Sequence, residues 1–312
     1  EGHHREDSRL EHRHRDEDYG TVDATPLWVS LVADYFRTTG DRSLVAPLLD
    51  NVTAALGWMR ECADHGGGFL RYFDESGTGL ANQGWKDSED SVLWRDGSLA
   101  QGPIALVEVQ AYAYRAALDG AELLNLFGRE GAEQWRTWAA ALKERVNERF
   151  WITDDTGRYP AIALDAHGAA VDSLTSNIGH LLGTGILEFD DVRSVVARLC
   201  GPDMFSGFGI RTVSTTTAGY WPYRYHVGTV WSHDTAMAID GLLKEGFRDE
   251  ARMIAEGLLD AGTAFDYRLP ELFAGFGKDE TSVPIPYPAS CRPQAWAAAS
   301  AVVVARALGV EF

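Results

Sequence analysis

The sequence is poor in cysteine and in positive charge, and it has no long apolar run. Its 312 residues include three cysteines, Cys62, Cys200 and Cys291. They are widely separated and form no C-x-x-C pair, so neither a disulfide framework nor a thiolate zinc site is suggested, and a reducing, cytoplasmic compartment fits best. Lysine and arginine number 28 against 46 aspartates and glutamates, a formal charge of −18. A surface that negative repels phosphate backbones and anionic lipid, so neither nucleic acid nor membrane is expected as a partner. The longest apolar stretch near the C-terminus, Ala295 to Ala305, is too short to span a bilayer and runs into Arg306. Missing as well are a G-x-S-x-G elbow, a phosphate loop ending in G-K-[S/T], an H-E-x-x-H pair and a dinucleotide fingerprint. Their absence removes the commoner nucleophile, nucleotide and metalloprotease chemistries.

What is present is core material: 45% of the residues are hydrophobic, enough for a sizeable interior. Residues 1–18 are almost entirely charged and read as a solvated loop or tail. His3, His4, His12 and His14 lie there without a rigid element to fix ligand geometry, so no metal site is expected. From Asp23 onward the pattern is helical. Thr25-Pro26 supplies a cap followed by proline at the first helical position, and Leu27, Leu31 and Tyr35 recur at helix spacing. The periodicity predicts helices over 26–39 and 45–63, then 101–126 with 130–150, 175–182 with 190–199, 231–244 with 248–259, and a last one over 293–308. Long connections at 66–99, 151–174, 201–230 and 263–292 separate the pairs and concentrate glycine, proline and aromatics, as functional loops do. With no fixed repeat period to indicate a solenoid, hairpins of this kind predict an all-α toroid whose long loops open over a shared pocket.

Two of those loops carry candidate chemistry. In the first, Asp87, Glu89 and Asp90 stand beside Trp85 and Trp94; a carboxyl pressed on an indole loses hydration and becomes a better acid catalyst at neutral pH. Asp87 is the candidate acid, against the alternative of a solvated acidic loop with Ser88 and Asp90 capping a helix. In the last, Glu271 sits alone in an apolar run, to be explained either by function or by an ion pair with Arg268 or Lys278. Arg211, in a glycine-rich turn, offers fixed donors to ligand oxygens or to a carboxylate, or an ordinary ion pair. Asp234 can cap the helix that follows His226 and Trp231, and His233 stays ambiguous. Asn177 and His180, one turn apart, read equally as a structural pair or as ligand contacts. Trp28, Trp85, Trp94 and Trp231 are candidate platforms for flat apolar ligand faces, while Trp58, Trp135, Trp138 and Trp151 read as core. Glu108 and Gln110 line the inner helices or support those that do.

Eight ordered segments then carry a family resemblance: GTVDATPLW from Gly20, NQGWKDSEDS from Asn82, DGSLAQGPIALVEVQAY from Asp96, TSNIGHLLGTGI from Thr175, MFSGFGIRT from Met204, HVGTVWSHD from His226, LPELFAGF from Leu269 and PQAWAA from Pro293. Together they resemble the catalytic domain of bacterial glycogen-debranching, amylo-α-1,6-glucosidase-like glycoside hydrolases over residues 19–312. The resemblance implies a six-hairpin (α/α)6 toroid, here expected to lack its first helices. It also implies hydrolysis of an α-glucosidic bond, an α-1,6 branch by preference, with inversion. The acid is then Asp87, in the W-K-D-S motif, and the base Glu271, in the L-P-E-L motif. Asp23, Trp28, Trp85, Lys86, Asp90, Trp94, Arg211, His226 and Trp231 become the candidates for contact with an oligo- or polysaccharide substrate. No cofactor is expected. A sugar phosphorylase and a non-catalytic carbohydrate-binding protein are the alternatives on the same toroid; the presence of a base argues against the first and the carboxylate pair against the second.

Overall fold

A computed structural model describes residues 21–73 and 80–310. The charged stretch 1–18 and its four histidines lie outside the described residues. Helix α1 (Ala24–Thr39) starts with Asp23, not Thr25, at its cap position and makes no side-chain capping bond there. It ends at Gly40, whose φ of +65° suits glycine and whose N–H closes on Phe36 O at 2.8 Å. Asp41 then caps a single turn, Arg42–Val45, by accepting from the N–H groups of Ser43 and Leu44. Pro47 falls in a 3-10 turn, Ala46–Leu48, because proline has no N–H to continue an α ladder. The helix expected from residue 45 therefore starts as α2 (Leu49–His65), burying Leu49, Val52, Leu56, Met59 and Ala63 on one stripe.

The next expected helix also starts late. Ala105–Leu106 forms strand β1, and α3 (Val107–Leu126) follows, buried along nearly its whole length and including Glu108 and Gln110. Helix α4 (Ala132–Arg149) packs back along it. Four short strands follow: β2 (Trp151–Asp154) pairs with β3 (Gly157–Pro160), and β4 (Ala163–Leu164) lies between β1 and β5 (Ala170–Val171), all antiparallel. Residues Ser176–Leu181 form a 3-10 rather than an α-helix. Helix α5 (Phe189–Leu199) comes next, then strand β6 (Val230–Trp231), α6 (Ser232–Lys244) and α7 (Arg248–Thr263), strand β7 (Leu272–Phe273) and α8 (Ala295–Ala307).

The packing order gives the architecture. α1, α3, the 3-10 helix, α6 and α8 pack each against the next as an inner row, and α2, α4, α5 and α7 back them from outside. One hydrophobic cluster runs from Val22 to Ala307 through both rows. This is the all-α arrangement of hairpins that the sequence predicts, and the strands serve to tie loops together across it. β6 pairs antiparallel with β7, setting Val230 opposite Phe273 and Trp231 opposite Leu272. That pairing brings the loop after His226 to the loop of Glu271. Among the described residues no helix is long and apolar enough to cross a membrane, and no group of three or more His, Cys, Asp or Glu could hold a metal ion.

Candidate active site

The loop of Asp87 is fixed from within. Tyr72 donates its hydroxyl to Asn82 Oδ1 at 2.6 Å, Asn82 Nδ2 donates to Ser88 O at 2.8 Å, and Ser91 Oγ donates to Lys86 O at 2.6 Å. Trp85 turns into a cluster of rings, with His180 stacked on it at 5.7 Å and 7° and His226, Trp231 and His233 against it edge-on. His226 in turn stacks on Trp231 at 4.8 Å, and His233 on Trp296 at 3.9 Å. Burial pulls the imidazoles of His226 and His233 down to about 3, so both are neutral at physiological pH.

A cavity of about 630 Å³ opens beside this cluster. Its walls include Trp85, Asp87, Asp23 and His180, Leu27 of α1, and Trp296 and Val303 of α8. Apolar walls with a few convergent polar groups suit a small organic ligand. Asp87 is half-exposed there, and its carboxyl is pushed above the usual range, first by loss of hydration and further by the negative charge of Glu271, against the pull of its own backbone N–H. Asp23 is buried and pushed up by desolvation.

Glu271 is 7% exposed and is held at both oxygens: Tyr225 donates its hydroxyl to Oε1 at 3.0 Å and the Cys291 N–H donates to Oε2 at 3.0 Å. These bonds, and not an ion pair with Arg268 or Lys278, compensate its burial; Lys278 pairs with Asp260 instead. Two hydrogen bonds leave the carboxylate with spare acceptor capacity for a water. Burial and the charges of Glu271 and Asp87 push the Tyr225 phenol far up, so it stays a donor. His226 stands 4.0 Å from Asp87 Oδ1 and 2.9 Å from Ser88 Oγ.

The remaining sequence candidates divide. Trp231 is buried at 2% exposure and donates its indole N–H to Tyr225 O, which makes it a support of the ring cluster. Lys86 is buried beneath Trp85 and donates to Thr212 O at 2.7 Å. Asp90 pairs with Arg224 and accepts from Ser88 Oγ. Arg211 donates to Gly275 O at 2.7 Å and Pro202 O at 3.0 Å, away from the cavity that Asp87 lines. Trp28 faces a separate groove that it shares with Trp58, and Trp94 packs against the core beside the turn closed by its bond to Ser98 O. Asp234 accepts from His180 Nε2 at 2.7 Å where a helix cap was expected; Trp231 occupies the cap position of α6. Tyr225 and Trp296 were missed. Tyr225 immediately precedes the His226 segment, and Trp296 is the aromatic of PQAWAA; their places inside or beside the quoted motifs were the available signal.

Comparison with known proteins agrees with this fold. The mannosylglycerate hydrolase MGH1-like glycoside hydrolase domain matches residues 3–271. The chain belongs to that family. Its fold is the (α/α)6 toroid. The GH63 mannosylglycerate hydrolase from Thermus thermophilus shares 15% identity and a TM-score of 0.63, over 89% of this chain and 75% of that one. An uncharacterized conserved protein from the same organism gives 14% and 0.61, over 89% and 76%. Neutral trehalase from Saccharomyces cerevisiae gives 14% and 0.55, over 72% of this chain and 41% of the trehalase, so this chain spans less than half the length of that relative. No curated protein sequence matches the chain. A glycoside hydrolase domain, as the motifs lead one to expect, is thus matched, and glycogen debranching is not singled out.

Proposed function

We propose that this protein hydrolyses a small α-linked glycoside with inversion, Asp87 being the general acid and Glu271 the general base. The observation that carries the reading is the electrostatic pairing of the two carboxyls. Asp87, its carboxyl pushed above the usual range by desolvation and by the charge of Glu271, lines the cavity, and Glu271 is oriented by Tyr225 and the Cys291 N–H. The acid protonates the departing glycosidic oxygen while the base deprotonates a water attacking C1 from the opposite face. Inversion needs room for that water, hence carboxyls about 6.5–9.5 Å apart. Trp85 and Trp296 offer apolar wall to the sugar ring, and Asp23 an acceptor for its hydroxyls.

The motifs favour an α-glucosidic bond, with α-1,6 branches among the substrates to be tried. The relatives named for mannosylglycerate and trehalose hydrolysis favour two-unit glycosides over a branched polymer. A base with two fixed donors favours water over phosphate as the nucleophile, hence a hydrolase over a phosphorylase.

The test is proton NMR of the first-formed product from α-glucosides and α-mannosides, including α-1,6-linked oligosaccharides, with and without phosphate. Release of the β-anomer supports the reading. The α-anomer, or a sugar phosphate, overturns it.

A further inference from the structure

Between the wall residue Trp85 and the acid Asp87 stands a charge with few partners for its burial. Lys86 is 3% exposed, and its ammonium, which has three N–H donors, makes one hydrogen bond among the described residues, to Thr212 O at 2.7 Å. It also lies over the Trp85 ring at 5.1 Å. No carboxylate oxygen among the described residues is within 4.0 Å of it. The charges that attract it are those of Asp234, on α6, and Glu108, on α3, each 1% exposed.

Those two carboxylates are themselves only half satisfied. Glu108 Oε1 accepts from Asn177 Nδ2 at 2.8 Å and Asp234 Oδ1 meets His180 Nε2 at 2.7 Å, while Glu108 Oε2 and Asp234 Oδ2 have no hydrogen-bond partner among the described residues. The compensation that buried carboxylates need comes through space, from Lys86 and from His180. Burial pulls the ammonium down and pushes the Glu108 carboxyl up, as expected for groups that share one interior.

The anchor of Lys86 is bonded to the segment that serves the base. Thr212 is tied to it by its N–H to Thr229 O at 2.9 Å and by its Oγ1, which accepts from the Gly228 N–H at 2.8 Å. Three residues before Gly228 stands Tyr225, the donor to Glu271. Acid and base thus reach each other through a chain of contacts that runs Asp87, Lys86, Thr212, Gly228, Tyr225, Glu271.

We infer that Lys86 is the positioning residue of the acid: its buried ammonium, pinned to Thr212 and drawn by Glu108 and Asp234, sets the place of Asp87 relative to Glu271 without touching substrate. The inference rests on the reading of Asp87 as general acid. Displacing that group by a fraction of an ångström weakens proton donation to a poor leaving group and leaves the attack of water unchanged.

A leaving-group comparison separates this role from a merely structural one. Wild type, Lys86→Met and Asp234→Asn are assayed on an α-glycoside with an alcohol leaving group and on the matching α-glycosyl fluoride, which departs with little help from an acid. Lys86→Met is expected to lower kcat on the glycoside by about 10²-fold and on the fluoride by less than about 3-fold, with KM unchanged on both. Asp234→Asn, which keeps the shape and removes one attracting charge, is expected to show the same selectivity at smaller size, and it stands in if Lys86→Met does not fold. Equal losses on the two substrates, or no loss on either, overturn the inference while leaving the hydrolase reading intact. A wild type that turns over neither α-linked substrate overturns the hydrolase reading itself, and the role of Lys86 with it.

Discussion

The hydroxyl of Tyr225 donates a 3.0 Å hydrogen bond to Oε1 of Glu271, while the next residue, His226, stands 4.0 Å from Asp87. Two consecutive residues therefore touch the two carboxyls from one backbone segment. Replacing Tyr225 by phenylalanine keeps the ring contacts with His226 and Trp231 and removes only the donor. The expected result is a fall in kcat of about 10–10²-fold, on the scale of a lost hydrogen bond to a charged group. Because the base acts on water whatever the leaving group, this loss is expected on a glycosyl fluoride as well as on the glycoside. A loss confined to the glycoside would move Tyr225 to the side of the acid.

Asp87→Asn and Glu271→Gln each remove one proton-transfer group and keep its shape. Turnover is expected to fall by about 10²–10⁴-fold in each, with little change in KM. Steady-state kinetics on the glycoside checks this. Near-native kcat in either variant would remove that residue from its role. The Asn variant has a second expected property. A carboxyl whose folded-state pKa is raised binds more protons folded than unfolded, so its ionisation works against folding as pH rises. Asp87→Asn is therefore expected to unfold no more easily than wild type at pH 7, which thermal melts report.

Much of the fold was legible because helices announce themselves locally. The stripe of Leu49, Val52, Leu56 and Met59 and the stop at Gly40 are visible in the sequence and are what the structure uses. The start of α3 was not, because residues 105–106 are taken by strand pairing with residues 163–164, a partner some sixty positions away. Residues 176–181 keep a helical pattern but are wound as 3-10. At the site, Asp87 stood out through its tryptophan and Glu271 through its apolar neighbours. What no local pattern could give is the partner of each. Glu271 finds a tyrosine 46 positions earlier in place of Arg268 or Lys278, and Asp234 finds His180 in place of its own helix end. Lys86 looked like a sugar-binding cation, but its side chain turns away from the cavity to Thr212.

The neutral histidines make an acid-sensitive interior. In the unfolded chain an imidazole takes up its proton near 6.5, whereas His226 and His233 do so only at about 3 in the fold. Between those values the unfolded state binds more protons, so stability is complete above about pH 6.5 and falls as the pH drops toward 3. Urea midpoints measured from pH 7.5 to pH 4 are expected to decline along that range. His233→Gln, which cannot titrate, is expected to flatten the decline, although it loses the stacking on Trp296. An unchanged slope would show that other groups govern acid unfolding.

The loop after Glu271 depends on two close approaches and on Arg211. A Cβ at Gly275 would lie 1.7 Å from Gly228 O, and one at Gly228, where φ is +148°, 2.1 Å from Trp221 O; neither backbone oxygen has room to move aside. Arg211 seals the same contact by donating to Gly275 O and Pro202 O. Arg211→Met removes the side-chain donor of Pro202 O and leaves Gly275 O to the Tyr220 hydroxyl at 3.2 Å, at a cost of about 1–3 kcal/mol for a carbonyl that stays buried without a donor, and thermal melts are expected to shift down accordingly. Gly275→Ala is expected to do more. It pushes the loop off the segment that carries Tyr225, so kcat is expected to fall together with melting temperature, whereas Arg211→Met is expected to lower stability first and activity less. Native-like melting and turnover in Gly275→Ala would mean that the two backbones are not held as close as 1.7 Å implies.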